Sequence, residues 1–379
     1  MPPILHIAFW FGGVTLVYTF IGYPMLIHSL GRFRRRAARP PADRPLPRSV
    51  SVVLVVRNEA GRIAQRLENL AGSELPETDL EIVLVDDGSD DETVQVAQGA
   101  GIDNLTVITH PEHRGKPAGL NDGVAAAGGE IIVFADARQR FEATTIPSLI
   151  AAFADPETGA VSGELQIEPS SAGAGAGVDA YWRLEKAIRH GESHIDSAIG
   201  CTGAVYAILR SAYIALPEDT VLDDVVCPML IALQGKRVRF CPEAVAFDPQ
   251  KLDPHNERRR KRRTIAGNFQ MLFRYPSWLL PWRNRLFLQL ISHKYLRLLA
   301  PLLILTVFSL NLAIATGGSR FYQIILAGQG VFFLLALVGL INQRASSRWL
   351  TLPAGFVFLN LMTVRGFIEY FRLRGRGGW

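Results

Sequence analysis

The segment Ser49–Asn58, SVSVVLVVRN, decides the fold. From Ser49 to Val56 it is an unbroken, largely β-branched apolar run, as expected of a strand buried on both faces of a parallel sheet. It then breaks into Arg57, Asn58 and Glu59. Downstream the pattern repeats. A helical stretch over Ala60–Ala71 leads to EIVLVDDGSD, a second strand, and DETVQVAQGA, its helix. NLTVITH, a helix near Ala118–Ala127 and EIIVFAD continue the alternation. Strand–helix repeats of this length predict an α/β fold with a doubly wound, mainly parallel sheet. In such sheets ligands bind beyond the carboxyl ends of the strands, so the polar residues that end strands carry the argument.

Four strand ends are loaded. The first runs into Arg57, Asn58 and Glu59, and the second ends in Asp86 and Asp87 before Gly88 and Ser89. The third leads to HRGKPAGLNDG, with Lys116 and Asn121, and the fourth ends at Asp136 in FADARQR. Any one of these reads as a helix cap, since Ser, Asp and Asn at helix starts satisfy orphan amides. Four in a row on one sheet edge read as a site. Further on, VLDDVVCPMLIALQG predicts a helix opening with Asp223 and Asp224, and KRVRFCPEAVAFD a returning strand. SSAGAGAG reads as a loop, and in VDAYWRLEKAIRH Glu185 and Arg189 stand at i,i+4 on a helix.

Composition frames this domain. No charged residue precedes Arg32, and the run Ile4–Leu30 meets the roughly 20 apolar residues a membrane span needs. Basic residues follow it rather than lead it, which predicts a retained anchor with the chain beyond Arg32 in the cytoplasm. Leu298–Ser319 and Phe321–Gln343 are long enough to cross, and the shorter Trp349–Val364 either crosses or lies in the interface. The net charge of +5 comes from Lys and Arg beside these segments, which fits anionic lipid heads rather than nucleic acid. Three widely spaced cysteines carry no metal-ligand spacing and fit a reduced compartment. The expected organisation is an anchor over 1–31, a basic Pro-rich linker over 32–48 and a cytoplasmic domain over 49–267. Interfacial helices over 268–297, membrane segments over 298–370 and a basic tail over 371–379 follow.

VVRNEA, VDDGSDD, RGKPAGLNDG and FADARQR resemble, in order and spacing, the motifs of family 2 glycosyltransferases, over roughly residues 50–270. Anchor and C-terminal segments resemble the membrane-embedded synthase branch, which includes cellulose, chitin, hyaluronan and poly-N-acetylglucosamine synthases. The resemblance implies the GT-A fold and a nucleotide-sugar donor, UDP-linked on family grounds. It puts Asn58, Glu59, Asp86, Asp87, Lys116 and Asn121 on the nucleotide side. It makes Asp136 the ligand of Mg²⁺ or Mn²⁺, a metal that neutralises the departing diphosphate. Arg138 stands where a second carboxylate is usual, a fixed cation in place of a metal ligand. Asp224 becomes the general base, with Asp223 beside it. Gly200, Cys201, Thr202 and Gly203 match the acceptor loop. In ERRRKRRTIAGN, counting back from Gly267, Arg263 matches the Arg of the Gln-x-x-Arg-Trp motif, Arg260 the Gln and Thr264 the Trp. Thr264 in place of an aromatic ring puts processivity in doubt.

The function implied is a membrane-bound inverting glycosyltransferase of the inner-membrane type, with a glycan or lipid-linked acceptor. A catalytically silent nucleotide-sugar-binding subunit of a synthesis or export complex is the alternative, and association with other subunits of such a system stays open.

Overall fold

The computed structural model describes residues 2–34, 46–75, 78–167, 176–249, 254–342 and 347–373. Most of the expected 32–48 linker, the SSAGAGAG stretch up to 175 and the tail from 374 lie outside these. The chain divides into two compact units. One combines Gly31–Ser171, Arg189–Lys251 and Leu373–Trp379; the other combines Met1–Leu30, Ala172–Ile188 and Leu252–Arg372. The division falls at 251/252 rather than at the expected 267/268, and the helix Ala176–Ile195 contributes residues to both.

The first unit is built on a sheet of β1 (Ser49–Val56), β2 (Asp79–Asp86), β3 (Leu105–Thr109), β4 (Ile131–Ala135), β5 (Arg140–Phe141), β6 (Thr158–Ile167), β7 (Val205–Leu209) and β8 (Arg237–Asp248). The order is β3-β2-β1-β4-β7-β6-β8-β5. The β3-β2-β1-β4 half is parallel throughout. Beyond β4 the sheet is mixed, because β7 runs antiparallel to both neighbours while β6 and β8 are parallel. β1 is buried on both faces. Val50, Val52, Leu54 and Val56 meet the helix Ile63–Ala71 through Ile63, Leu67 and Leu70. Val53 and Val55 meet the helix Lys116–Ala126, which comes close because Gly119 and Gly123 lack side chains. A Cβ on Gly119 would stand 2.7 Å from Val55, and one on Gly123 2.5 Å from Val53. This two-sided burial is what an uninterrupted β-branched run encodes.

Among the described residues four helices are long and apolar enough to cross a membrane, Pro3–Phe33, Phe287–Thr316, Arg320–Ile341 and Arg348–Arg372, and all but the last turn of the first lie in the second unit. The second helix begins earlier than the expected Leu298, because Phe287 onward continues into it. Gly12 lets the N-terminal helix approach Val307, to which an added Cβ would be 2.7 Å, the small-residue contact usual between membrane helices. Phe9, Val307, Ile314, Ala315 and Tyr322 form a common core. The basic helix Pro254–Arg274 lies along Arg348–Leu373, with Ile265 against Gly366 and Phe269 edge-on to Phe367. Glu185 is buried among three basic groups: His293 Nε2 at 2.9 Å, Lys294 Nζ at 3.3 Å and Arg297 Nη1 at 3.0 Å. Burial opposes the charge on Glu185, but these neighbours hold its carboxyl well below the usual range.

Candidate active site

At the ends of β1 and β2 the polar residues lace the rim together. Asn58 takes a left-handed conformation (φ 56°), which asparagine tolerates better than most side chains. Its Oδ1 accepts the Asp90 N–H at 2.8 Å, and its own N–H donates to Ser89 Oγ at 2.9 Å. Ser89 in turn donates to the buried Asp86. Asp87 is buried as well, accepting the N–H of Arg114 at 2.7 Å and of Gly115 at 2.9 Å, with His113 Nδ1 at 2.7 Å. Both carboxylates are therefore engaged by the protein's own donors and fix the loop that leads to Lys116. Gly88 (φ 69°) leaves no room for a side chain, since a Cβ would lie 2.7 Å from the Glu112 backbone. Asn121, expected on the nucleotide side, braces a loop through its side chain. Its Oδ1 accepts Tyr213 Oη and the Leu216 N–H, and its Nδ2 donates to the Leu216 carbonyl.

The charged centre lies where three chain segments meet. Asp136 follows β4, Lys116 opens the helix Lys116–Ala126, and Asp223 with Asp224 opens the helix Asp223–Leu233. A helix N-terminus favours such carboxylates. Lys116 Nζ donates to Asp136 Oδ1 at 2.8 Å and lies 3.7 Å from Asp223 Oδ2. Burial disfavours the ammonium, but Asp136, Asp223 and Asp224 outweigh it and hold Lys116 above the ordinary lysine range. The loop Gly200–Gly203 lies against the start of the same helix. Cys201 N–H donates to the Asp224 carbonyl at 2.7 Å, and a Cβ on Gly203 would lie 3.1 Å from Asp224 Oδ2. Gly200 (φ 85°) needs its glycine for the turn. Thr202 is tied to Ser162, its N–H donating at 2.9 Å. Cys201 is buried, which pushes its thiol up and makes it a poor nucleophile.

Arg138 does not stand as an isolated cation. It donates to Asp248 Oδ2 at 2.7 Å, and Asp248, 1% exposed, also accepts from Gln139 Nε2 at 3.2 Å. Glu59 lies in the same field. Burial raises its carboxyl above the usual range, opposed by Arg62 and Arg138 and reinforced by Asp91 and Asp136. One contributor went unforeseen. Arg66, 3% exposed, donates through Nε to the Asp136 carbonyl at 3.0 Å and sits 4.2 Å over the Phe141 ring. Burial pulls its pKa down to about 9. No local sequence signal separates it from a surface arginine of an amphipathic helix. Arg260, Arg263 and Thr264 lie on the helix Pro254–Arg274 of the other unit, where Thr264 Oγ1 donates to the Arg260 carbonyl at 3.0 Å.

Among the described residues no three His, Cys, Asp or Glu side chains converge as a metal cage. A divalent ion bound with a diphosphate does not need one, because one or two carboxylates, phosphate oxygens and water suffice. Asp136 fits that demand: one oxygen holds Lys116, and the other makes no hydrogen bond among the described residues.

A mixed eight-stranded sheet with these groups along the carboxyl edge of its parallel half belongs to the GT-A class. The mannosyltransferase PcManGT of Pyrobaculum calidifontis, solved in complex with GDP-Man and Mn²⁺, shares the fold with a TM-score of 0.66. The match covers 94% of this chain and 99% of that one at 23% identity. Residues 51–213, from within β1 to just past β7, match the family model for glycosyl transferase family 2. Among curated proteins, glycosyltransferase AglE of Haloferax volcanii is 34% identical over 89 residues, 23% of this chain and 29% of that protein. An N-acetylglucosaminyltransferase of Rhizobium meliloti is 25% identical over 256 residues, 62% of this chain and 60% of that protein. The chain thus spans less than two thirds of the length of each of these relatives.

Proposed function

We propose that this chain is a membrane-bound inverting glycosyltransferase. It moves a sugar from a nucleotide-sugar donor, UDP-linked in the first instance, to a glycan or lipid-linked acceptor. The observation that carries the reading is the convergence of Lys116, Asp136, Asp223 and Asp224 in one cluster of a family 2 domain. Asp224 takes the proton of the acceptor hydroxyl. Gly203, bare beside Asp224, leaves room for the sugar that carries that hydroxyl, and Gly200, Cys201, Thr202 and Asp223 shape the same side. The freed oxygen attacks the anomeric carbon while its bond to the nucleoside diphosphate breaks. With no protein nucleophile, one displacement inverts the configuration. Asp136 would hold Mg²⁺ or Mn²⁺, which would supply positive charge against the diphosphate leaving group. Lys116 supplies a point charge to the same oxygens. Asn58, Glu59, Asp86 and Asp87 form the nucleotide side, with Arg138 beside them. The positive-inside rule puts the catalytic unit in the cytoplasm.

The test is nucleoside diphosphate release in the presence of Mg²⁺, over a panel of UDP-sugars with GDP-mannose added. That donor enters the panel because the PcManGT complex held it. Asp224→Asn should lower release by about 10²–10⁴-fold, the usual worth of a positioned base. Equal background release from both proteins would favour a silent nucleotide-sugar-binding subunit. One feature speaks for that reading: Arg138 is bound to a buried carboxylate where a second metal acid is usual.

A further inference from the structure

We propose that Lys116 is the resident cation of the Asp136–Asp223 pair in the donor-free protein, and that it yields Asp136 to a divalent metal only when a diphosphate arrives to receive its ammonium. The inference rests on the function proposed above and concerns how that site is loaded.

The Asp223 side chain is 10% exposed, and its Oδ2 is buried without a hydrogen bond among the described residues. A carboxylate in that position needs a cation close by. Lys116 stands 3.7 Å from that oxygen and 2.8 Å from Asp136 Oδ1. A divalent ion on Asp136 would share its carboxylate with the ammonium, which holds Oδ1 at 2.8 Å, and the two cations would repel. The ammonium has somewhere to go. It is a point charge on a flexible stem, and lysine is an established phosphate binder. A diphosphate arriving with the metal therefore resolves the conflict, drawing Lys116 away from Asp136 as the metal takes its place. Metal and nucleotide should then bind cooperatively, each tightening the other by the same factor.

The full-length protein in detergent, titrated with Mn²⁺ and followed by the electron paramagnetic resonance of free Mn²⁺, tests this with and without UDP, and again with GDP. Wild type should bind Mn²⁺ at least about tenfold tighter with the nucleotide than without it. Lys116→Met should bind Mn²⁺ about tenfold tighter than wild type in the absence of nucleotide, and more weakly than wild type in its presence. That crossover is the signature. A lysine that merely repelled metal would give tighter binding in both states, and either that result or an unchanged nucleotide-free affinity overturns the proposal. Lys116→Arg keeps the cation and should stay as weak as wild type without nucleotide. If circular dichroism shows Lys116→Met unfolded, Lys116→Gln carries the same comparison. Failure of wild type to bind Mn²⁺ with either nucleotide would sink the donor-site reading itself. Wild type that loads Mn²⁺ with UDP while Lys116→Met shows no crossover defeats only the present inference.

Discussion

In the sheet unit the Lys116 ammonium stands among Asp136, Asp223 and Asp224; in the other unit the Glu185 carboxylate stands among His293, Lys294 and Arg297. The two clusters are built alike with the signs reversed, yet they differ in access. The Lys116 and Asp136 side chains are 26% and 38% exposed, whereas those of Glu185 and His293 are 6% and 0% exposed. An acidic excess that solvent can reach is able to exchange its internal cation for a ligand's. A closed cluster cannot, and serves to hold helices together. Charge alone does not separate a site from a brace; access does.

Substitutions should separate the two in magnitude and in kind. The largest change belongs to the open cluster: Asp136→Ala should abolish transfer, with a melting temperature close to wild type. Glu185→Ala should act the other way round, costing about 3–5 kcal/mol of stability because it strands buried cations. Denaturant unfolding in detergent would detect this. The closed cluster also has a pH signature. A carboxyl held below its ordinary value of 4.5 stabilises the fold above that value, and the contribution is lost as pH falls through the lowered one. Acidification below about pH 4.5 should therefore narrow the gap between wild type and Glu185→Ala. Arg138 sits between the two kinds, a half-exposed cation on a buried acid. Replacing it alone would strand Asp248, so Arg138→Ala is best made with Asp248→Asn. The double variant should raise the donor KM about tenfold, roughly 1.4 kcal/mol, with kcat little changed. An unchanged KM would make the pair a brace like Glu185. The smallest effect should come from Gly203→Ala, whose methyl would meet Asp224 at 3.1 Å and lower kcat by about tenfold or less through a misplaced base.

The parallel half of the sheet was legible because burial on both faces leaves a strong mark in sequence, as in β1 and in IIVFA of β4. The mixed half was not. β6, TGAVSGELQI, is broken by glycines, one of which, Gly163, fits because it has no Cβ; one there would lie 2.5 Å from the Ala244 carbonyl. β7 starts just after Gly200–Gly203, the stretch matched to the acceptor loop, and its pairing with β4 joins residues far apart in sequence, Ile131 against Leu209. The site divides in the same way. Asp136, Lys116, Asp223 and Asp224 could be picked out because each sits where an apolar run ends or a helix begins. The partners of Asp87 and Arg138 could not, since a buried carboxylate looks the same in sequence whether it faces a nucleotide or the N–H of Gly115. Asp248 did leave a trace: it ends AVAFD as Asp136 ends IIVFAD, and the same rule applied to β8 would have found it.

The two glycines beneath the Lys116 helix have a mechanical consequence. Gly119 lies three residues, about one helical turn, from Lys116, and with Gly123 it fixes how low the helix rides over Val55 and Val53. A methyl at either position would lift the helix, and the lysine at its end would travel with it. The reach of the ammonium is therefore adjusted from underneath, by residues that touch no substrate atom. A screen for altered metal or donor preference should examine that helix–sheet seam as closely as the charged rim above it.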